Sequence, residues 1–183
     1  MKKDWNKIDF LRHVRHDWLN KVQLIKGNLA LNKEERVKEI IDEIIMEAQQ
    51  EARLSNLGIP QFAELLLTCN WENYRFQLEY EVLNEKKCPY AEDAALTEWT
   101  AMFFNVLNES AKPFSENHLS VSIDPQSDGI RLFFDFSGII TEKVLIDAFL
   151  HTKNRENIKV QVHTFMEEEI ALEVFVENER TSD

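Results

Sequence analysis

The sequence predicts an α+β chain in which an antiparallel helical hairpin precedes an α/β sandwich. Three observations predict it. Two long stretches near the start carry apolar residues at helical spacing, with only Asn32 and Lys33 between them. The run SNLGIP, Ser55 to Pro60, then breaks the helical pattern. Beyond it, alternating apolar segments are mixed with helical ones, the pattern of helices laid on one face of a largely antiparallel sheet. The expected domains are residues 1–58, the hairpin, and residues 59–183, the sandwich.

The totals set limits on function. The chain has 183 residues, 44% hydrophobic and 30% charged, a globular composition long enough for one or two cores. No apolar run approaches the roughly 20 residues that span a bilayer, so no membrane partner is expected. The first residues, MKKDWNKIDF, lack the apolar core of a signal peptide. Cys69 and Cys88 are too few for a disulfide framework or a metal site. Together these points predict a reduced, cytoplasmic setting. The net charge of −12 leaves no overall positive field for nucleic acid. That charge is uneven: residues 1–33 carry +5 and the remainder −17. A basic helix is therefore displayed against an acidic body, as a solvated face or as a docking surface for an acidic partner.

The first helix is expected from Trp5 to Leu31, with Leu11, Val14, Trp18, Val22, Ile25 and Leu29 as its stripe. The second is expected from Glu34 to Leu57, with Val37, Ile40, Ile41, Ile44, Ile45, Ala48 and Ala52 inward. So short a turn forces an antiparallel hairpin. One hairpin cannot cover so wide an apolar face. The expected state is a homodimer in which two hairpins form a four-helix bundle. The alternative is that the C-terminal domain folds back over the stripe. Gly58 suits the position just past a helix, and Pro60 cannot continue one. A helix follows over Gln61 to Asn73, with Phe62, Leu65, Leu66 and Cys69 inward. Arg75 to Leu83 alternates as a half-buried strand. A long helix from about Ala91 to Lys112 turns Leu96, Trp99, Met102, Phe103, Val106 and Leu107 to the core. Four strands complete the sheet: Leu119 to Asp124, Ile130 to Phe136, Lys159 to Met166 and Ile170 to Glu177. Ser127 to Gly129 forms a hairpin turn between the first two.

The candidate chemistry lies at His16. At about 100° per residue it falls nearly opposite Trp18, on a face shared with Arg12, His13, Asn20, Gln23 and Gly27. All of these are polar or small, so a partner surface can approach closely. A neutral imidazole is a good nucleophile near pH 7, because a pKa of about 6.5 leaves a ring nitrogen free. Once phosphorylated on nitrogen, it can pass the group on. Phosphoryl transfer is mostly positioning and charge neutralisation, and a partner can supply the acidic pocket and the metal. Asp17 and Asn20 lie close enough to orient the ring or take its proton. Arg12 and Arg15 are candidate charge partners or docking contacts. His13 lies on the same side and competes for the role, but no third ligand joins it and His16 into a zinc site. His118, His151 and His163 read as structural. A surface histidine on a helix is more often merely solvated, so a further pattern is needed to single out His16.

That pattern is HDWLN, which is similar to the histidine box of two-component signalling. The longer run RHDWLNKVQLIKGNLAL, Arg15 to Leu31, resembles the sporulation initiation phosphotransferase B family of spore-forming bacilli. EARLSNL, LEYEVL and ENHLSVS fit the same family, and the resemblance covers nearly the whole chain. It implies a dimer whose hairpins form a four-helix bundle. It implies that His16 takes a phosphoryl group from the aspartate of a single-domain response regulator. The group then passes to the aspartate of a second regulator, a transcription factor controlling sporulation.

The resemblance also implies a C-terminal domain shaped like the ATP-binding domain of histidine kinases but without its activity. FFNVLNESAKPF, Phe103 to Phe114, resembles the kinase asparagine box, with Glu109 at the place of the metal-binding Asn. DFSGII, Asp135 to Ile140, looks like a worn first glycine box. The second box is absent, since Gly27, Gly58, Gly129 and Gly138 are the only glycines and no two are close. No cofactor is therefore expected on this chain, and Mg2+ is expected in the partner regulator. The alternative function is a non-catalytic dimeric module that binds and inhibits a response regulator or histidine kinase.

Overall fold

A computed structural model describes residues 7–88, 92–152 and 157–178. Trp5 and Ala91, where two helices were expected to begin, lie outside these residues. The chain divides into two compact units, Met1–Gln49 and Gln50–Asp183.

The first unit is built on helix α1, Lys7–Ala30, and the greater part of helix α2, Glu34–Asn56, whose last residues, from Gln50, belong to the second unit. The turn works through Asn32, whose φ of 55° is left-handed. Asn tolerates that conformation through its short polar side chain. The Lys33 N–H then donates to the Asn28 carbonyl at 3.0 Å and the Asn32 N–H to the Leu29 carbonyl at 3.0 Å. These two bonds satisfy carbonyls that a helix end leaves open. Val37 and Ile40 of α2 are buried, with Ile44 half-buried beside them. The half-buried positions of α1 include His13, Val14, Asp17, Lys21, Ile25 and Asn28. Lys21 forms an ion pair with Glu47. The expected stripe therefore divides: Val14 and Ile25 are half-buried, whereas Leu11, Trp18, Val22 and Leu29 stay exposed. Ile41 and Ile45 of α2 are exposed as well.

The second unit runs α3 (Pro60–Cys69), β1 (Gln77–Val82), α4 (Asp93–Ser110), β2 (His118–Pro125), β3 (Gly129–Ser137), α5 (Lys143–Thr152), β4 (Ile158–Phe165) and β5 (Glu169–Glu177). Its sheet has the order β1-β2-β3-β5-β4. β1 lies parallel to β2 and every other pair is antiparallel. Alternation sends one residue of each adjacent pair inward. Registered rows of apolar side chains result: Leu119, Phe136 and Ile170; Val121, Phe134 and Leu172; Ile123, Leu132 and Val174. All nine are buried. Leu96, Trp99, Phe103 and Leu107 of α4 are buried in the same core. The Trp99 ring stacks on Phe103 at 5.6 Å, and Phe103 meets Phe134 edge-on at 5.4 Å.

Two features were not visible in the sequence pattern. Helix α5 occupies a stretch where no element was expected. It has ten residues, too few to show a full stripe, and among its described side chains only Ile146 and Phe149 are buried while Val144 is exposed. A helix that short is marginal alone and depends on tertiary packing. The N-terminus of α3 is capped from a distance: the Asp93 carboxylate accepts the N–H groups of Gln61 and Phe62, each at 2.9 Å. Among the described residues no helix is long and apolar enough to cross a membrane.

The inner and outer faces of the sandwich should respond differently to truncation. Trp99 is 2% exposed, and Trp99→Ala should cost about 3–5 kcal/mol in urea denaturation. Phe133 faces away from the core at 36% exposure, and Phe133→Ala should cost under about 1 kcal/mol.

Candidate functional site: an exposed histidine on the first helix

His16 sits in the middle of α1 with its side chain 70% exposed. Helix geometry decides its neighbours, because residues one turn away stack on the same face. Asn20, one turn on, places Nδ2 at 3.2 Å from His16 Nδ1. Asp17 places Oδ1 at 3.5 Å from the same nitrogen. The other ring nitrogen, Nε2, has no hydrogen-bond partner among the described residues. Arg12, one turn before, donates instead to Asp9 at 2.7 Å. Arg15 is exposed. A Cβ added at Gly27 would meet nothing within 4 Å, so this end of the face is open.

The structure thus brings together His16, Asp17 and Asn20. It leaves Arg12 and Arg15 on the surrounding surface without a contact to the ring. It also separates the two histidines, since His13 is half-buried and His16 is exposed. Asp9 was missed as the residue that holds Arg12. The signal was present in the three-residue spacing of opposite charges.

The segment that resembles the kinase boxes has a different character. At the end of α4, Asn108 Oδ1 accepts the Arg75 N–H at 2.8 Å, and Arg75 Nη1 donates to the Glu109 carbonyl at 3.3 Å. Glu109 is exposed. After β3 the chain returns to α5 in five residues, 138–142, tied at both sides. Thr141 N–H donates to the Ser110 carbonyl at 2.8 Å and Lys112 N–H to the Ile139 carbonyl at 2.7 Å. Ile140 N–H donates to the Glu167 carbonyl at 2.8 Å. Asn117, 3% exposed, lies over Gly138. Its Nδ2 donates to the carbonyls of Arg75 at 2.7 Å and Lys112 at 2.9 Å, and its Oδ1 accepts the Ile139 N–H at 3.0 Å. A Cβ at Gly138 would stand 2.3 Å from that Oδ1. The glycine is needed because the chain's own amide comes so close.

The thiols are inert features of the second unit. Burial pushes the Cys69 thiol up to about 12, with a smaller push from the Glu72 carboxylate. A thiol attacks as thiolate, so Cys69 stays protonated and unreactive at ordinary pH.

Comparison with known proteins gives the family. Residues 2–57 match the description "Sensor_kinase_SpoOB-type, alpha-helical domain", and residues 58–177 match "Sporulation initiation phospho-transferase B, C-terminal". The sporulation initiation phosphotransferase B of Bacillus subtilis (strain 168) is 42% identical over 142 residues, covering 76% of this chain and 74% of that protein. The chain belongs to the sporulation initiation phosphotransferase B family. Among solved structures it is similar to the catalytic domain of histidine kinase ThkA, with TM-score 0.45, 9% identity, and 64% and 91% of the two chains covered. It is also similar to the Acinetobacter baumannii histidine kinase AdeS, with TM-score 0.44, 10% identity, and 90% and 98% covered.

Two outcomes follow for the second unit. Gly138→Ala should lower its stability by about 1–3 kcal/mol, read from the urea midpoint, because Asn117 must move or lose its bonds. Cys69 in the native chain should resist iodoacetamide at pH 8 and react once the chain is unfolded in urea.

Proposed function

We propose that this chain is a phosphorelay phosphotransferase in which His16 carries the phosphoryl group. The observation that carries this reading is the exposed imidazole in the histidine box, with Nε2 unpartnered among the described residues. The donor is a single-domain response regulator phosphorylated on aspartate. The Nε2 lone pair bonds phosphorus as the aspartyl P–O bond breaks, and the electron pair stays with the donor carboxylate. The acceptor is a second regulator, a transcription factor controlling sporulation, whose aspartate reverses the step. Each regulator brings its own acidic pocket and Mg2+. Arg12 and Arg15, exposed beside the ring, serve as docking contacts for acidic regulator surfaces.

In this reading residues 1–58 form the dimerisation and phosphotransfer domain, and residues 59–183 the kinase-like one. Two hairpins form a four-helix bundle. Its support is the open stripe of Leu11, Trp18, Val22, Leu29, Ile41 and Ile45, more apolar surface than a monomeric helix pair usually leaves in water. The setting is the cytoplasm. The chain uses no ATP. The residues at the kinase-like place do not suit a magnesium nucleotide: Glu109 stands where the resemblance puts the metal-binding Asn, and the buried Asn117 amide fills the space against Gly138.

The test is transfer from a radiolabelled, phosphorylated receiver domain in Mg2+. Label should reach the wild type and not His16→Gln, which should fold normally because the residue is solvent-exposed. Label on neither, with a receiver shown to bind, contradicts the reading and favours the inhibitory module. Incubation with labelled ATP and Mg2+ should give no stoichiometric label. In sedimentation, Trp18→Glu should convert a dimer to a monomer; a monomeric wild type at micromolar concentration would contradict the bundle.

A further inference from the structure

We propose that Asn20 is a positioning residue that holds the His16 ring in its unreactive protonation form between transfers, in competition with Asp17. The inference rests on the reading of His16 as phosphoryl carrier and concerns how that site is regulated.

Nδ1 of His16 faces two groups with opposite demands. The amide nitrogen of Asn20, at 3.2 Å, is a donor and needs the lone pair on Nδ1. The carboxylate of Asp17, at 3.5 Å, is an acceptor and needs a proton there. A neutral imidazole carries one ring proton, so it satisfies one of them at a time. When Asn20 is satisfied, the proton resides on Nε2. The outward nitrogen then has no lone pair in the ring plane to offer phosphorus. When Asp17 is satisfied, the proton resides on Nδ1 and Nε2 is the nucleophile. Asn20 is the nearer of the two, and its amide nitrogen has no other partner among the described residues. Both residues project from α1 itself, so the competition is built into one helix and needs no partner to set it.

The same contact acts after transfer. Attack by the Nδ1–H form leaves a cationic ring; once Nδ1 gives its proton to water, its lone pair returns and Asn20 donates to it. To release the group, Nε2 must leave with the electron pair of the N–P bond as an oxygen of water, or of a regulator's aspartate, bonds phosphorus. It leaves more readily when Nδ1 is protonated, the form that Asp17 favours. Asn20 therefore slows both acceptance and loss, and keeps the phosphoryl group in place until a regulator docks.

Asn20→Asp is the informative variant, since it keeps the shape and replaces a donor by an acceptor. The full-length chain is labelled with 15N-histidine and its ring nitrogens are read by long-range 1H–15N correlation at alkaline pH, where the imidazole is neutral. Wild type should show the proton on Nε2, and Asn20→Asp should move it to Nδ1. The phosphorylated variant, freed of regulator, should lose its label about twofold to tenfold faster than wild type, the worth of one net hydrogen bond. A wild-type proton on Nδ1, an unchanged tautomer in Asn20→Asp, or an unchanged rate of label loss would overturn the proposal. The tautomer is read without phosphorylation. A His16 that accepts no label therefore contradicts the phosphotransferase reading and is told apart from a failed latch.

Discussion

The structure depends on a geometric constraint on α1, a single helix with three uses for its circumference. At about 100° per residue, 24 residues offer only a few distinct faces. One face, through Val14, Lys21 and Ile25, is half-buried, and its Lys21 pairs with Glu47 of α2. A second, with Leu11, Trp18, Val22 and Leu29, is apolar and open. The third carries His16 with Arg12, Asn20, Gln23 and Gly27, all polar or small. A shift of one residue in the apolar pattern would rotate the histidine toward a packed face. The hydrophobic spacing and the accessibility of the imidazole are thus set by the same residues.

The second unit meets a different constraint. Its sheet has one buried face and one solvated face, so β2, β3 and β5 alternate and their registered rows match, while the edge strand β4 buries only Ile158 and carries an irregularity between Val162 and Thr164. The rows through Val121, Phe134 and Leu172 do so, and Trp99 and Phe103 fill the layer against them. The return from β3 to α5 is held by one buried side chain. The Asn117 amide fastens three backbone groups from separate parts of the chain, and Gly138 exists to admit it.

Local signals were legible in the sequence where one residue type decides a conformation. Asn32 takes the left-handed turn, Gly58 has φ 90° beyond α2, and Pro60 opens α3. Alternation in LEYEVL and in the later strands gave their inward residues. The hairpin and the exposure of His16 followed from helical spacing. Three features did not show. Helix α5 is too short to display a period. The Asp93 cap joins residues 32 and 31 apart, and spacing carries no sign of such a contact. The approach of Asn117 to Gly138 is likewise a tertiary fact, which spacing does not display. Resemblance, not chemistry, distinguished His16 from His13, and the structure adds the physical difference in their burial.

The most direct measurement is the site of the N–P bond. The chain is phosphorylated by a receiver domain, and a 1H–31P correlation spectrum then assigns the phosphorus to a ring nitrogen. The account predicts one phosphoryl group per chain, on His16 Nε2. A phosphoryl group on His13, on another residue, or on Nδ1 of His16 would contradict it.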